Sequence, residues 1–188
     1  MRVNEVFTSL QGEGFHTGTV ATFIRFSGCN LRCPFCDTDF TSGKEMTEEE
    51  IAAKVEFGSM VVLTGGEPSL QVTESLVNRL HDKGCYVTIE TNGTHTLAGN
   101  IDWVTCSPKE GTTPVLGEAD EVKVVYTGQD VEKWREKIKA KHYFLQPCDP
   151  SELTNKSSVP DTKATIGYIL EHPWWRLSLQ THKLTGIK

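Results

Sequence analysis

No stretch of eighteen apolar residues occurs in this 188-residue sequence, so no segment is expected to span a bilayer. The N-terminus, from Met1 to Phe7, lacks the charged-then-apolar layout of a secretory signal. Positive charge is in short supply. The 19 lysines and arginines face 25 acidic residues, and the formal net charge of −6 argues against general electrostatic binding to nucleic acid. There is no internal repeat and no low-complexity segment. Apolar residues make up only 37%, which is low for a large core but enough for one α/β domain spanning 1–188. These absences predict a cytoplasmic protein with neither nucleic acid nor membrane as partner. In that compartment the six cysteines stay reduced, available for metal or for the core.

Against that background one short stretch stands out: Cys29, Cys33 and Cys36, with three and then two residues between them. Three thiolates are too few for a structural zinc site, which wants four closed ligands. They suit an iron–sulfur cluster that leaves one iron open. The spacing resembles that of the radical S-adenosylmethionine (SAM) superfamily, where three cysteines hold a 4Fe-4S cluster and SAM chelates the fourth iron. Phe35 fills a slot that is usually aromatic there. The competing reading is a zinc knuckle or a loop core. Cys85 and Cys106 sit in apolar, strand-like runs and read as core cysteines.

The rest of the chain alternates strands with helices. Residues 2–10 read as a strand, followed by Leu10, Gln11, Gly12, Glu13 and Gly14, a turn with glycines around a carboxylate. Glycine lets backbone approach a ligand closely, although a plain surface hairpin explains the turn as well. Residues 20–27 are rich in β-branched and aromatic side chains and form a strand. Within it Arg25 is a lone cation that either snorkels to water or grips a carboxylate. The cysteine loop follows at that strand's C-terminal end, where parallel α/β folds place their chemistry. Asp37, Thr38 and Asp39 then offer oxygens suited to a hard cation such as magnesium, or simply a solvated turn.

Thr47 and Glu50 match a capping box for a helix running to about residue 57 and ended by Gly58. Residues 60–63 form a buried strand that stops at Gly65, Gly66, Glu67 and Pro68. A helix over 70–83 leads to a strand over 85–90 ending in Thr91, Asn92 and Gly93. A strand over 101–106 ends in Ser107, Pro108 and Lys109, and a loop covers 110–120. Then come a strand at 121–126, a charged helix at 131–141, and a strand at 142–145 ending in Gln146, Pro147, Cys148 and Asp149. A polar linker at 150–160, a helix at 161–171 and a strand at 175–179 complete the pattern, the last ending in Gln180, Thr181, His182 and Lys183. About six strands with polar C-terminal ends predict an α/β fold, a partial parallel β/α barrel with its site along that edge. A full eight-fold barrel needs about 250 residues.

Taken together, the strand ends resemble the 7-carboxy-7-deazaguanine synthases, a radical SAM family of queuosine and 7-deazapurine biosynthesis. The resemblance covers most of the chain. It implies a lyase that contracts 6-carboxy-5,6,7,8-tetrahydropterin to 7-carboxy-7-deazaguanine with loss of ammonia, using SAM catalytically. It implies that Cys29, Cys33 and Cys36 hold the cluster and that Thr38 holds Mg2+. SAM would meet Phe35, Cys36 and Asp37, then Gly66 and Glu67, which match the stretch that binds its amino group. Gly93, Ser107, Pro108, Lys109, Gln146, Pro147, Cys148 and Asp149 match further SAM segments. Substrate would meet Leu10, Gln11, Gly12 and Glu13, with Arg25 on its carboxylate and Thr91 close by. His182 reads equally as a substrate contact or as a structural residue. Family members often end in a proline whose carboxylate reaches substrate, and here Lys188 stands at that place. The family also implies a homodimer and an electron donor such as flavodoxin or ferredoxin. Two alternatives are another small radical SAM enzyme, such as a glycyl-radical activase, and a non-catalytic zinc- or iron-binding module.

Overall fold

The computed structural model describes all residues except Asp37, Phe40 and 150–160. It is organised on one nine-stranded sheet in the order β3-β1-β2-β4-β5-β6-β7-β8-β9. The strands are β1 (Arg2–Leu10), β2 (Val20–Phe26), β3 (Lys44–Glu45), β4 (Met60–Gly65), β5 (Tyr86–Thr91), β6 (Trp103–Cys106), β7 (Glu118–Tyr126), β8 (Lys139–Pro147) and β9 (Arg176–Leu177). From β2 to β9 every pairing is parallel. Six of those strands are substantial and β9 adds two residues, which gives the expected incomplete barrel. The edge formed by β1 and β3 is antiparallel and adds to the parallel strands expected. The link from β1 to β2 is too short for a parallel crossover, which takes a dozen residues or more.

Helices cover the outer face and divide the core in two. Helices α1 (Glu48–Ala53) and α2 (Glu74–Asp82) pack on the first strands, burying Ile51, Leu76, Val77 and Leu80 against Ile24, Val61, Leu63 and Val87. Helices α3 (Glu132–Lys137) and α4 (Thr162–Glu171) flank the later strands, where Val122, Val124, Trp134, Leu145 and Trp175 form the second cluster. The capping box of Thr47 and Glu50 is present, but α1 stops at Ala53 rather than near residue 57. The Lys83 ammonium takes the carbonyls of Ala52 and Val55, satisfying the open helix end early. The helix expected over 70–83 begins at Glu74, because the Thr73 hydroxyl accepts the Leu76 amide 3.1 Å away. Residues Pro68–Leu70 form a separate 3-10 turn.

Other boundaries also moved. Strand β8 starts at Lys139, and α3 ends at Lys137 rather than 141, because Lys139 and Ala140 pair with Glu118 and Ala119 of β7. The strand expected over 175–179 keeps only β9. After it the chain turns into a short helix α5 (Thr181–Thr185), ended by Gly186 at φ +69°. The polar linker expected at 150–160 lies outside the described residues. No described helix is long and apolar enough to cross a membrane.

The β1–β2 connection positions the site. Because β1 runs antiparallel, residues 11–19 lie at the N-terminal end of the barrel, opposite the cysteine loop. Phe15 stacks against Trp103 at 4.9 Å and His142 at 4.4 Å. The Phe15 amide donates to Glu121 at 2.9 Å and the Gly14 amide to Ser178 at 3.0 Å. The loop is a plug that closes the barrel from below and presents Gln11, Gly12 and Glu13 to the interior.

Candidate active site

A cavity of about 600 Å3 lies between this plug and the C-terminal strand ends. Cys29, Cys33, Phe35, Cys36 and Thr38 line its mouth. No disulfide joins any of the six cysteines, and Cys85 and Cys106 are buried as expected of core residues. Burial pushes the Cys29 and Cys33 thiols up, against the pull of the Lys109 ammonium. The donor set fits an iron–sulfur cluster. Three soft thiols line one wall, and Gly66 and Lys109 stand on the same cavity. Among the described residues no three His, Cys, Asp or Glu side chains converge on a single ion. A four-iron cluster takes each thiolate on a different iron and needs them apart.

The glycine–glycine–glutamate turn is set by close approach. Gly65 has φ +117°, and a Cβ there would stand 2.2 Å from the Phe26 carbonyl oxygen. The amides of Gly66 and Glu67 donate to the carbonyls of Phe26 and Gly28, each at 2.9 Å. The Glu67 carboxylate is 1% exposed. It accepts from the Thr91 hydroxyl at 2.7 Å, the Asn92 amide at 2.7 Å and the Ser69 amide at 3.1 Å. Thr91 and Glu67, expected at substrate and SAM respectively, are therefore direct partners across the ends of β4 and β5. The Asn92 side chain donates onward to Asn30 in the cysteine loop at 3.0 Å.

Gln146, Pro147, Cys148 and Asp149 line the cavity at the end of β8, as do Ser107 and Lys109 at the end of β6. Lys109 donates to the Ser107 hydroxyl at 2.6 Å and carbonyl at 2.8 Å, and burial lowers its pKa. Gly93 and Pro108 are buried beside the cavity but do not line it. A Cβ on Gly93 would stand 2.6 Å from the Cys106 sulfur. Asp37 lies outside the described residues. Asp39 does not line the cavity and turns back on its own loop. It accepts from the Thr41 amide and hydroxyl and from Ser42, which together bring its carboxyl down to about 2.

The apolar wall and the polar floor complete the cavity. Phe7 and Phe23 stack at 5.1 Å, and the Arg25 guanidinium lies 5.4 Å from the Phe7 ring centre. Arg25 pairs with Glu5 at 2.8 Å, and the Lys188 ammonium joins the same carboxylate. The Lys188 carbonyl oxygen accepts from Ser9 at 2.7 Å. Leu10 and His182 also line the space. The His182 ring packs so tightly on Gly12 that a Cβ there would stand 2.2 Å from its Nδ1. Thr181 donates to the Gly12 carbonyl through amide and hydroxyl, at 3.0 and 2.9 Å, and Lys183 pairs with Asp149 at 3.0 Å.

Sequence reasoning missed the centre of the floor, Lys123 and Glu90. Lys123 is 3% exposed, and its ammonium donates to Glu13 at 2.6 Å and to Glu90 at 3.0 Å. Burial opposes its charge, yet the carboxylates of Glu13, Glu90 and Glu121 hold its pKa well above the usual value. Burial likewise works to raise Glu13, but Lys123, Gln180 and His182 bring it down. Glu121, buried beneath with no partner for its Oε1, is pushed up to about 7. A signal was present in the strand at 121–126, where Lys123 interrupts an apolar run as Arg25 does in β2.

Comparison with known proteins gives a consistent picture. The model of the Radical SAM superfamily matches residues 23–143. A 7-carboxy-7-deazaguanine synthase of Bacteroides thetaiotaomicron is 54% identical, with 100% of this chain and 98% of that protein aligned. A synthase of the same name from Bradyrhizobium diazoefficiens is 38% identical over 99% of this chain and 98% of its own length. Among solved structures, the crystal structure of QueE from Escherichia coli superimposes with a TM-score of 0.71 at 29% identity, covering 95% of this chain and 92% of that one.

Proposed function

Since the chain belongs to the 7-carboxy-7-deazaguanine synthases, lyases of the radical SAM superfamily, we propose that it converts 6-carboxy-5,6,7,8-tetrahydropterin to 7-carboxy-7-deazaguanine and ammonia. Substrate minus ammonia has the composition of the product, so the conversion needs no net oxidant, and SAM is returned unchanged each cycle. The observation that carries this reading is the cavity itself: three thiols at its mouth, a stacked Phe7–Phe23 wall, and a floor of carboxylates around one buried lysine.

Cys29, Cys33 and Cys36 would hold a 4Fe-4S cluster, with SAM between it and the strand ends at Gly66, Ser107, Lys109 and Gln146. Cluster and SAM together supply a one-electron route to hydrogen-atom abstraction, chemistry that protein side chains lack. The chain's residues bind and orient. The Phe7 and Phe23 rings offer a face to a flat heterocycle. Arg25, with one nitrogen on Glu5, has further donors for the substrate carboxylate. Thr38 would hold Mg2+ against substrate oxygens, and Leu10, Gln11, Glu13 and His182 close the floor and side. The product would feed queuosine or another 7-deazapurine. We place the enzyme in the cytoplasm as a homodimer reduced by a flavodoxin or ferredoxin.

Anaerobic turnover tests this. The protein reconstituted with iron and sulfide receives SAM, reductant, Mg2+ and carboxytetrahydropterin, and products are followed by mass. 7-Carboxy-7-deazaguanine formed with many turnovers per SAM is expected. A brown, SAM-cleaving protein that ignores the pterin would sink the assignment.

A further inference from the structure

Glu5 and Arg25 stand directly opposite each other on β1 and β2. An arginine and a glutamate so placed close readily as a fork, two guanidinium nitrogens on both carboxylate oxygens. Here the carboxylate is shared instead. Arg25 approaches Glu5 through Nη1, 2.8 Å from Oε1, and the Lys188 ammonium pairs with Oε2. Lys188 is anchored where it does this. Its carbonyl oxygen accepts from Ser9 at 2.7 Å. Its ammonium lies 4.6 Å from the Phe7 ring centre, and the Arg25 guanidinium lies 5.4 Å from the same ring.

Two cations on one carboxylate leave one positive charge in excess, and its placement matters. Arg25 and Lys188 line the cavity, whereas Glu5 stands behind them and does not. A guanidinium carries five N–H donors in a fixed plane. Among the described residues, Arg25 Nε and Nη2 donate no hydrogen bond. Two adjacent nitrogens of that kind match the two oxygens of a carboxylate. Closing the fork on Glu5 would take a second nitrogen and draw the guanidinium away from the cavity. We propose that Lys188 is a positioning residue: by occupying one oxygen of Glu5 it keeps Arg25 open to the carboxylate of the ligand, and so sharpens the preference for carboxylated heterocycles. Lys188 acts through Glu5 and Arg25, without touching the ligand. This inference deepens the pterin reading of the cavity and rests on it.

The test is equilibrium binding to the reconstituted holoenzyme of two ligands, 7-carboxy-7-deazaguanine and 7-deazaguanine, which lacks only the carboxylate. The wild type should prefer the acid on the order of 10- to 100-fold, the range for hydrogen bonds to a charged group. Lys188→Met keeps the backbone contact to Ser9. The Lys188 side chain is 62% exposed, and exposed ion pairs are weak, so this variant should cut the preference only about three- to five-fold. Binding of 7-deazaguanine should not change. In the double variant Lys188→Met with Glu5→Gln, no ionised partner is left to close on Arg25, and the preference should return to within about two-fold of the wild type. A merely structural role for Lys188 would weaken both ligands alike and show no such rescue. A wild type without the preference, or a preference unmoved by Lys188→Met, overturns this inference alone. So does a loss that Glu5→Gln fails to rescue, which would make Lys188 itself the ligand's contact. A wild type that binds neither compound overturns it together with the proposed function.

Discussion

Glu13 and Glu90 share a single ammonium: Lys123 Nζ lies 2.6 Å from Glu13 Oε2 and 3.0 Å from Glu90 Oε2. One residue lies in the plug loop, the other is next to last in β5, and the cation comes from the middle of β7. Three separate pieces of chain are therefore held by one charge.

Lys123→Met removes that charge and leaves two buried carboxylates together. Breaking a buried pair from one side typically costs about 3–5 kcal/mol, so chemical denaturation should show a loss of that order near pH 8. In the wild type, Glu13 is held below its ordinary pKa. Its stabilisation is present above the unfolded value and is lost as pH falls through the lower folded one. Without Lys123, burial raises the Glu13 pKa instead, and the variant loses stability as pH rises. The gap between the two proteins should widen from about pH 5 to about pH 8.

Glu121 behaves in the opposite sense. Its carboxyl is pushed up to about 7 by burial, with Glu90 and Glu13 adding to the effect against Lys123 and the Phe15 amide. A raised carboxyl is stabilising while protonated, and that contribution is lost as pH rises from the unfolded value through 7. Glu121→Gln should therefore stabilise the fold on the order of 2 kcal/mol at pH 8 and hardly at all at pH 5. Thermal melts across that range check it.

Two glycines in the cavity wall should respond differently to alanine. A Cβ on Gly65 meets the backbone of Phe26 and sits at φ +117°, so neither neighbour nor conformation gives way. Gly65→Ala should cost about 2–4 kcal/mol and lower the melting temperature by several degrees. The three atoms nearest a Cβ on Gly12 all belong to the His182 side chain. Gly12→Ala should displace that ring, weakening substrate binding while stability changes by less than about 1 kcal/mol.

Cys33→Ala should abolish the brown absorption and bring bound iron after reconstitution near background. Cys33 is only half-buried, so the unfolding free energy of the metal-free chain should change by less than about 1 kcal/mol. Iron analysis and a melt of the apo-protein read the two effects separately.

The parallel half of the fold was legible because its strands are continuous apolar runs, as in β4, and each ends in glycine or polar residues. The thiol triplet and the glycine–glycine–glutamate turn were legible for the same reason, being compact in the chain. Helix lengths were not. The end of α1 is set by Lys83, 31 residues beyond Ala52 and past the whole of α2, and the length of β8 by its partner β7. The direction of β1 was open to elementary reasoning, since a short link forbids a parallel crossover. The floor was hidden for a different reason. Glu13, Glu90 and Lys123 come from three elements with no common spacing, and only the barrel's closure makes them neighbours.

The two flanks of the chain meet over the cavity. Thr181 binds the Gly12 carbonyl, and the Ser9 hydroxyl reaches Lys188 across a separation of 179 residues. Contacts of such range are among the last to form in folding. While the chain is still emerging from the ribosome, the cysteine loop is already made but residues 181–188 are not, so the space behind the thiols stands open. Metal delivery therefore has a window in the life of the molecule, before the wall that confines a substrate has been built.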